Sequence, residues 1–332
     1  MLAVFDGHND ALTKPDCELL AAGRSGGHLD LPRMRAGGIR GGIFSVFVSS
    51  PGDEHTTAPE PVEHEEAAAR ATAVAGRLVA LERAGEVRVA RSIGDLDNAS
   101  TGDGPPVAVL HLEGAEPIDP GLEALELWYA AGLRSVGPVW SRSNAFGHGV
   151  PFVSPSTPDT GPGLTEAGLA LVRRCAGMGI MVDVSHLNEA GFWDLAGLEL
   201  GPIVASHSGV HALAAASRNL TDRQLDAIGA SGGLVGIVFA CSFLRPDFAD
   251  DPDTPLSLVA EHARYVADRI GVEHVALGSD YDGTTIPAAL GDAAGTPRLL
   301  DVLRSVGGFD ERELSLIGWE NWRRVLAAWW RS

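Results

Sequence analysis

The chain has 332 residues, 45% hydrophobic and 21% charged, which describes a soluble globular protein able to bury a full core and excludes a membrane-spanning one. Its 25 Lys+Arg against 44 Asp+Glu give a formal charge of −19, which repels phosphate backbones and argues against a nucleic-acid partner. Cys17, Cys175 and Cys241 are odd in number and far apart, so they fit neither a disulfide framework nor a thiolate zinc site, and they read as buried, inert residues.

The N-terminus has neither a basic start nor an apolar stretch before a cleavage site, so a cytoplasmic protein with no membrane partner is expected. From there the chain alternates short apolar runs with helical patterns. The runs are Leu2 to Phe5, Ile43 to Val48, Val107 to His111, Leu133 to Val139, Ile180 to Ser185, Ile203 to Ser206, Leu234 to Phe239 and His274 to Gly278. Between the fourth and fifth, Thr165 can cap a helix whose apolar face carries Leu169, Val172 and Ala176 and which Gly177 can close. Ser257 to Gly271 repeats that design before the eighth run. Strands separated by helices call for parallel pairing, and eight such units in a chain of this length suit a closed (β/α)8 TIM barrel. A doubly wound sheet is the alternative, but no Gly-x-Gly-x-x-Gly follows the first run. Gly52 to Pro61, Gly102 to Pro106 and the proline-rich Asn144 to Pro162 read as loops, none long enough for a linker, so residues 1–332 are taken as one domain.

Metal-capable residues cluster at the ends of these runs. His8 and Asp10 follow the first, Glu113 the third, His186 the fifth, His207 the sixth and Asp280 the eighth. In a parallel barrel all of these are C-terminal strand ends, hence one face, where such barrels build active sites. Each alone has a bland reading: a turn for His8 and Asp10, a helix N-terminal carboxylate for Glu113, an Asx turn for Asp280. Their convergence favours metal. Two divalent sites form if Glu113 bridges, one ion taking His8, Asp10 and Glu113, the other Glu113, His186 and His207. Nitrogen and oxygen donors without thiolate suit zinc first, with manganese, cobalt or iron as alternatives. The single lysine, Lys14, is not at a strand end, which argues against a modified-lysine bridge.

Asp6-Gly7-His8-Asn9-Asp10, His111-Leu112-Glu113-Gly114-Ala115, Val182-Asp183-Val184-Ser185-His186, Ala205-Ser206-His207-Ser208, Ser217-Arg218-Asn219 and Gly278-Ser279-Asp280-Tyr281-Asp282-Gly283 resemble the membrane dipeptidase (renal dipeptidase, peptidase M19) family. The order and spacing match nearly to the end of the chain. The resemblance implies a barrel of the amidohydrolase-like metal-dependent hydrolases with two zinc ions on the five ligands above. It implies that Arg218 holds the substrate's C-terminal carboxylate and that Asp280 shuttles the proton. Lacking the secretion and lipid-anchor signals of the membrane-bound members, the chain resembles the soluble bacterial branch.

Two positions depart from the family pattern. Trp140, in Val139-Trp140-Ser141-Arg142-Ser143-Asn144, stands where members commonly carry a histidine in a Thr-His-x-x-Asn pattern, and Ala240 stands where mammalian members carry a tyrosine. Trp140 and Asn144 are therefore expected to contact substrate, with His148 as a stand-in imidazole if the long loop folds inward. The expected activity is zinc-dependent hydrolysis of small dipeptides with a free C-terminal carboxylate. Hydrolysis of N-acyl amino acids or lactones, or a catalytically weak metabolite-binding barrel, are the alternatives, and a homodimer is left open.

Overall fold

A computed structural model describes residues 2–52, 59–101 and 104–330. Parts of the loops expected at Gly52 to Pro61 and Gly102 to Pro106 lie outside the described residues. Nine strands occur among them: β1 (Val4–Asn9), β2 (Ile39–Phe47), β3 (Arg88–Val89), β4 (Val107–Glu113), β5 (Leu133–Gly137), β6 (Met181–Val182), β7 (Val204–Ser208), β8 (Leu234–Ile237) and β9 (Val275–Leu277). All pairings are parallel, in the order β1-β2-β4-β5-β6 and β7-β8-β9, with β3 lying beside β4.

Backbone hydrogen bonds join the two arcs at both seams. Val184 N donates to Val204 O at 2.8 Å between β6 and β7, while Asp280 N donates to His8 O at 3.0 Å and Asp10 N to Tyr281 O at 2.8 Å between β9 and β1. The parallel strands thus curl into a barrel-like ring, as the alternating pattern requires. The eight expected runs supply eight of its strands. β3 is the addition: two residues beside β4 carry no periodicity from which to read a strand.

Helices cover the outside. The helix Glu166–Met178 starts where expected, with Thr165 Oγ1 accepting from Gly168 N at 3.1 Å, but ends at Gly179 (φ 74°) rather than Gly177. Its buried face is Leu171, Val172, Cys175 and Ala176; Leu169 is only half buried, so the apolar stripe is rotated from the one read in sequence. Ser257–Ile270 buries Val259, Ala260, His262, Ala263, Val266 and Ala267. At the C-terminal end Trp322 donates to Leu277 O at 3.0 Å and packs on Phe5, tying the helix Asn321–Trp329 to β9 and β1. All three cysteines are free and buried, and no helix among the described residues is long and apolar enough to cross a membrane.

Candidate metal centre

Five of the expected ligands meet at one end of the barrel. His8 lies on β1 with no exposed surface, Asp10 immediately follows it, Glu113 ends β4, His186 follows β6 with φ 71°, and His207 lies on β7. Glu113 is central. Its Oε2 is 3.3 Å from His8 Nε2, while its Oε1 is 3.0 Å from His186 Nε2 and 3.7 Å from His207 Nε2. Asp10 Oδ2 is 3.8 Å from His8 Nε2, and the His186 and His207 Nε2 atoms are 3.0 Å apart. Two donor groups result, His8/Asp10/Glu113 and Glu113/His186/His207, and a third combines His8, His207 and Asp280.

The residues fit a metal on grounds of satisfaction as well as spacing. Both ring nitrogens of His8 and Oδ1 of Asp10 are buried without a hydrogen-bond partner among the described residues. Buried polar atoms are costly when unpaired, and a cation would satisfy them. Burial also lowers the His186 imidazole to about 4 and holds His207 well below its usual range, favouring the neutral, ligating form. Burial would lower His8 too, but the Glu113 and Asp10 carboxylates raise it above the usual range.

Hydroxyls orient the ligands from behind. Ser141 Oγ lies 2.8 Å from His186 Nδ1, Ser206 Oγ 2.7 Å from His207 Nδ1, and Ser45 Oγ donates to Glu113 Oε2 at 2.9 Å. Ser206 is held in turn by the buried Asp183 carboxylate, which accepts from the Ser206 N–H at 2.9 Å and from its hydroxyl. Such partners turn the outer ring nitrogen into an anchor and aim Nε2 inward. Sequence reasoning missed all four residues. The two Ser-His pairs look alike in sequence, yet only Ser206 serves its own histidine, while His186 is served by Ser141 from another loop.

A cleft of about 570 Å³ opens above the ligands, lined by Asp10, Glu113, His186, His207, Asp280 and aromatic residues including Trp140, Phe47 and Phe152. Asp280 sits at φ 59°, and burial pushes its carboxyl up to about 7, opposed by His8 and assisted by Asp10 and Glu113. Gly283 makes this crowding feasible: a Cβ there would lie 2.2 Å from Asp280 Oδ1 and 2.3 Å from Asp10 Oδ2. Trp140 reaches the cleft, its ring 5.8 Å from His186, 5.0 Å from Phe47 and 5.5 Å from Phe152.

Other expected residues lie elsewhere. Asn144 does not line this cleft: its amide donates to Pro138 O at 2.9 Å and accepts from Phe146 N at 2.8 Å and Gly147 N at 3.2 Å, so its side chain organises the loop. His148 faces Ser143 Oγ at 2.8 Å in that loop and lies outside the cleft lining, as does the buried Ala240. Lys14 does line the cleft. Arg218 is buried behind the lining, donating to Ser208 Oγ and His207 O at 2.8 Å each, with Nε unpartnered. It does not pair with Asp222 or Asp226, both of which Arg269 takes at 2.8 and 2.7 Å.

Residues 1–329 match the model of the membrane dipeptidase family, peptidase family M19. The chain belongs to that family. It is thereby a metal-dependent dipeptidase by membership, and M19 relatives cover it almost completely. A crystal structure of a metallo peptidase from Rhodobacter sphaeroides, liganded with a phosphinate mimic of the dipeptide L-Ala-D-Ala, is 43% identical with a TM-score of 0.94 and covers 99% of both chains. A crystal structure of dipeptidase AC, an M19 metallo peptidase, is 44% identical with a TM-score of 0.93 and the same coverage. A Klebsiella pneumoniae protein described only by its position in the pqqA 5' region is 46% identical over 249 residues, covering 75% of this M19 chain and 91% of its own.

Proposed function

We propose that this M19 chain is a dinuclear zinc dipeptidase that hydrolyses small dipeptides ending in a free carboxylate, with residues 1–332 acting as one catalytic domain. The observation that carries the reading is the split of Glu113, one oxygen toward His8 and the other toward His186 and His207. A single ion would not need both oxygens faced by separate imidazoles. When bound, the ions would supply Lewis-acid polarisation of the scissile carbonyl and ease deprotonation of the attacking water.

The chain's own residues account for the rest. Asp280, with its carboxyl raised toward neutrality, accepts a proton from the attacking water and returns it to the amine as the C–N bond breaks. Arg218 carries a buried positive charge with no carboxylate partner among the described residues, which suits a fork waiting for the substrate's terminal carboxylate. The walls formed by Trp140, Phe47 and Phe152 narrow the cleft and favour short substrates. The Rhodobacter relative's ligand makes L-Ala-D-Ala the first substrate to try.

The test is elemental analysis of zinc-reconstituted protein alongside hydrolysis of L-Ala-D-Ala and L-Ala-L-Ala. About two ions per chain are expected, with Glu113→Ala losing at least one of them. Trace metal in the reconstituted protein, or a Glu113→Ala variant that keeps both ions, refutes the dinuclear assignment.

A further inference from the structure

The loop between β1 and the helix Leu31–Gly37 folds across the end of β9 and grips Asp282, two residues beyond Asp280. Arg24 Nη1 lies 2.5 Å from Asp282 Oδ2, and both side chains are almost fully buried, 3% and 2% exposed. The other side of the same guanidinium pairs with Asp16, Nε at 2.9 Å and Nη2 at 2.8 Å from Oδ1, and Nη1 also donates to Leu29 O at 3.0 Å. The second oxygen of Asp282 accepts from His28 N at 2.7 Å, while Asp282 N donates to His28 Nδ1 at 3.0 Å. Room for this contact depends on Gly27, at φ 69°: a Cβ there would lie 2.5 Å from Arg24 Nη2 and 2.6 Å from Asp282 Oδ1.

The grip has a geometric reason. Asp280 and Asp282 both lie in the left-handed region, at φ 59° and 68°, a conformation non-glycine residues hold only when their surroundings over-determine it. On the upstream side Asp6 supplies the constraint, accepting from Ser279 N at 2.8 Å and Ser279 Oγ at 2.9 Å. Downstream, the polar contacts of the Asp282 side chain come from Arg24 and His28. We propose that Arg24, through Asp282, is a positioning residue that sets where the Asp280 carboxylate stands over the metal ligands. The proposal rests on the reading of Asp280 as the proton carrier. Arg24 does not line the cleft and reaches it only through Asp282, which does, so its removal is expected to show in the rate of the chemical step more than in substrate affinity.

The experiment is a double-mutant cycle on the zinc-loaded full chain with L-Ala-D-Ala, combining Arg24→Gln with Asp280→Asn and recording kcat, KM and bound zinc for each protein. Arg24→Gln is expected to lower kcat by about 10- to 100-fold, as loss of an outer supporting partner does, with KM and zinc content within about twofold of the parent. In the Asp280→Asn background the same change should cost nothing further. An equal loss of kcat in both backgrounds, or a loss expressed in KM or in zinc, overturns the positioning role while leaving the Asp280 reading intact. A full rate in Asp280→Asn alone refutes the proton assignment, a distinguishable failure that removes this proposal with it. Should Arg24→Gln not fold, Arg24→Lys keeps the charge without the planar fork; a smaller drop in kcat that again vanishes beside Asp280→Asn supports the proposal, and an unchanged kcat overturns it.

Discussion

Replacing Arg218 by methionine should separate recognition of the substrate's terminal carboxylate from every other property of the site. The guanidinium spends one hydrogen on Ser208 Oγ and one on His207 O, which leaves Nε–H and the remaining Nη hydrogens free to form a fork. Burial lowers its pKa to about 10, still far above neutrality, so the charge persists without a carboxylate partner. A bidentate, charge-assisted contact made in that buried setting should be worth about 2–4 kcal/mol, so kcat/KM should fall roughly 30- to 1000-fold. Stability should fall by about 1–3 kcal/mol, because the change leaves the buried Ser208 Oγ and His207 O without their donor while removing a costly buried charge. The assay is kcat/KM for L-Ala-D-Ala and for its C-terminal amide, with zinc content and an unfolding midpoint measured on the same samples. The amide should be nearly indifferent to the substitution. If both substrates lost equally, or if zinc fell in step with rate, Arg218 would be a support for the His207 backbone and the carboxylate role would be refuted.

Two further outcomes are expected. Trp140→His should broaden acceptance toward ordinary L,L-dipeptides by returning a polar imidazole beside His186, whereas Trp140→Ala should enlarge the cleft without supplying a donor; identical dipeptide-panel profiles for both variants and the parent would show that the indole does not touch substrate. His262, buried between Val210 N and Leu244 O, has its pKa lowered by burial from 6.5 to about 4, so its protonation is resisted by the fold and not by the unfolded chain. Its contribution is therefore fully present above pH 6.5 and is lost as pH falls toward 4, up to about 3 kcal/mol, and His262→Gln should flatten the pH dependence of urea unfolding in that window; equal slopes in variant and parent would refute it.

The parts of the site that were legible in the sequence share one property: their position follows from the barrel's own periodicity. Once strands alternate with helices, a residue just beyond an apolar run belongs to one face, so His8, Glu113 and His207 could be brought together without coordinates. Asp10 needed only the neighbouring turn. The helix ends show the limit of that logic. Gly177 reads as a stop, yet the helix runs on through Met178 and ends at Gly179, whose left-handed backbone (φ 74°) closes it. Asn144 shows another limit: a loop residue's direction is set by local backbone hydrogen bonds, and its amide is engaged with Pro138, Phe146 and Gly147 away from the cleft.

Most residues that aim the ligands were illegible because they lie far in sequence from the groups they hold. Ser45 meets Glu113, Ser141 meets His186, and Arg24 meets Asp282 across 258 positions. A serine before a histidine, or an arginine in a glycine-rich loop, carries no spacing that marks it as a support. The unpartnered nitrogens of His8 and the committed outer nitrogens of His186 and His207 make the distinction physical. A buried donor or acceptor left without a hydrogen bond is costly, and those of His8 and Asp10, lying among the other donor groups, point at a cation. On the proposed function, the unpartnered Nε of Arg218 answers an anion. On that same reading, these two unmet demands, opposite in sign, frame the substrate. A molecule that answers both must carry a polarisable carbonyl and a carboxylate close together, which is what a short peptide with a free C-terminus offers.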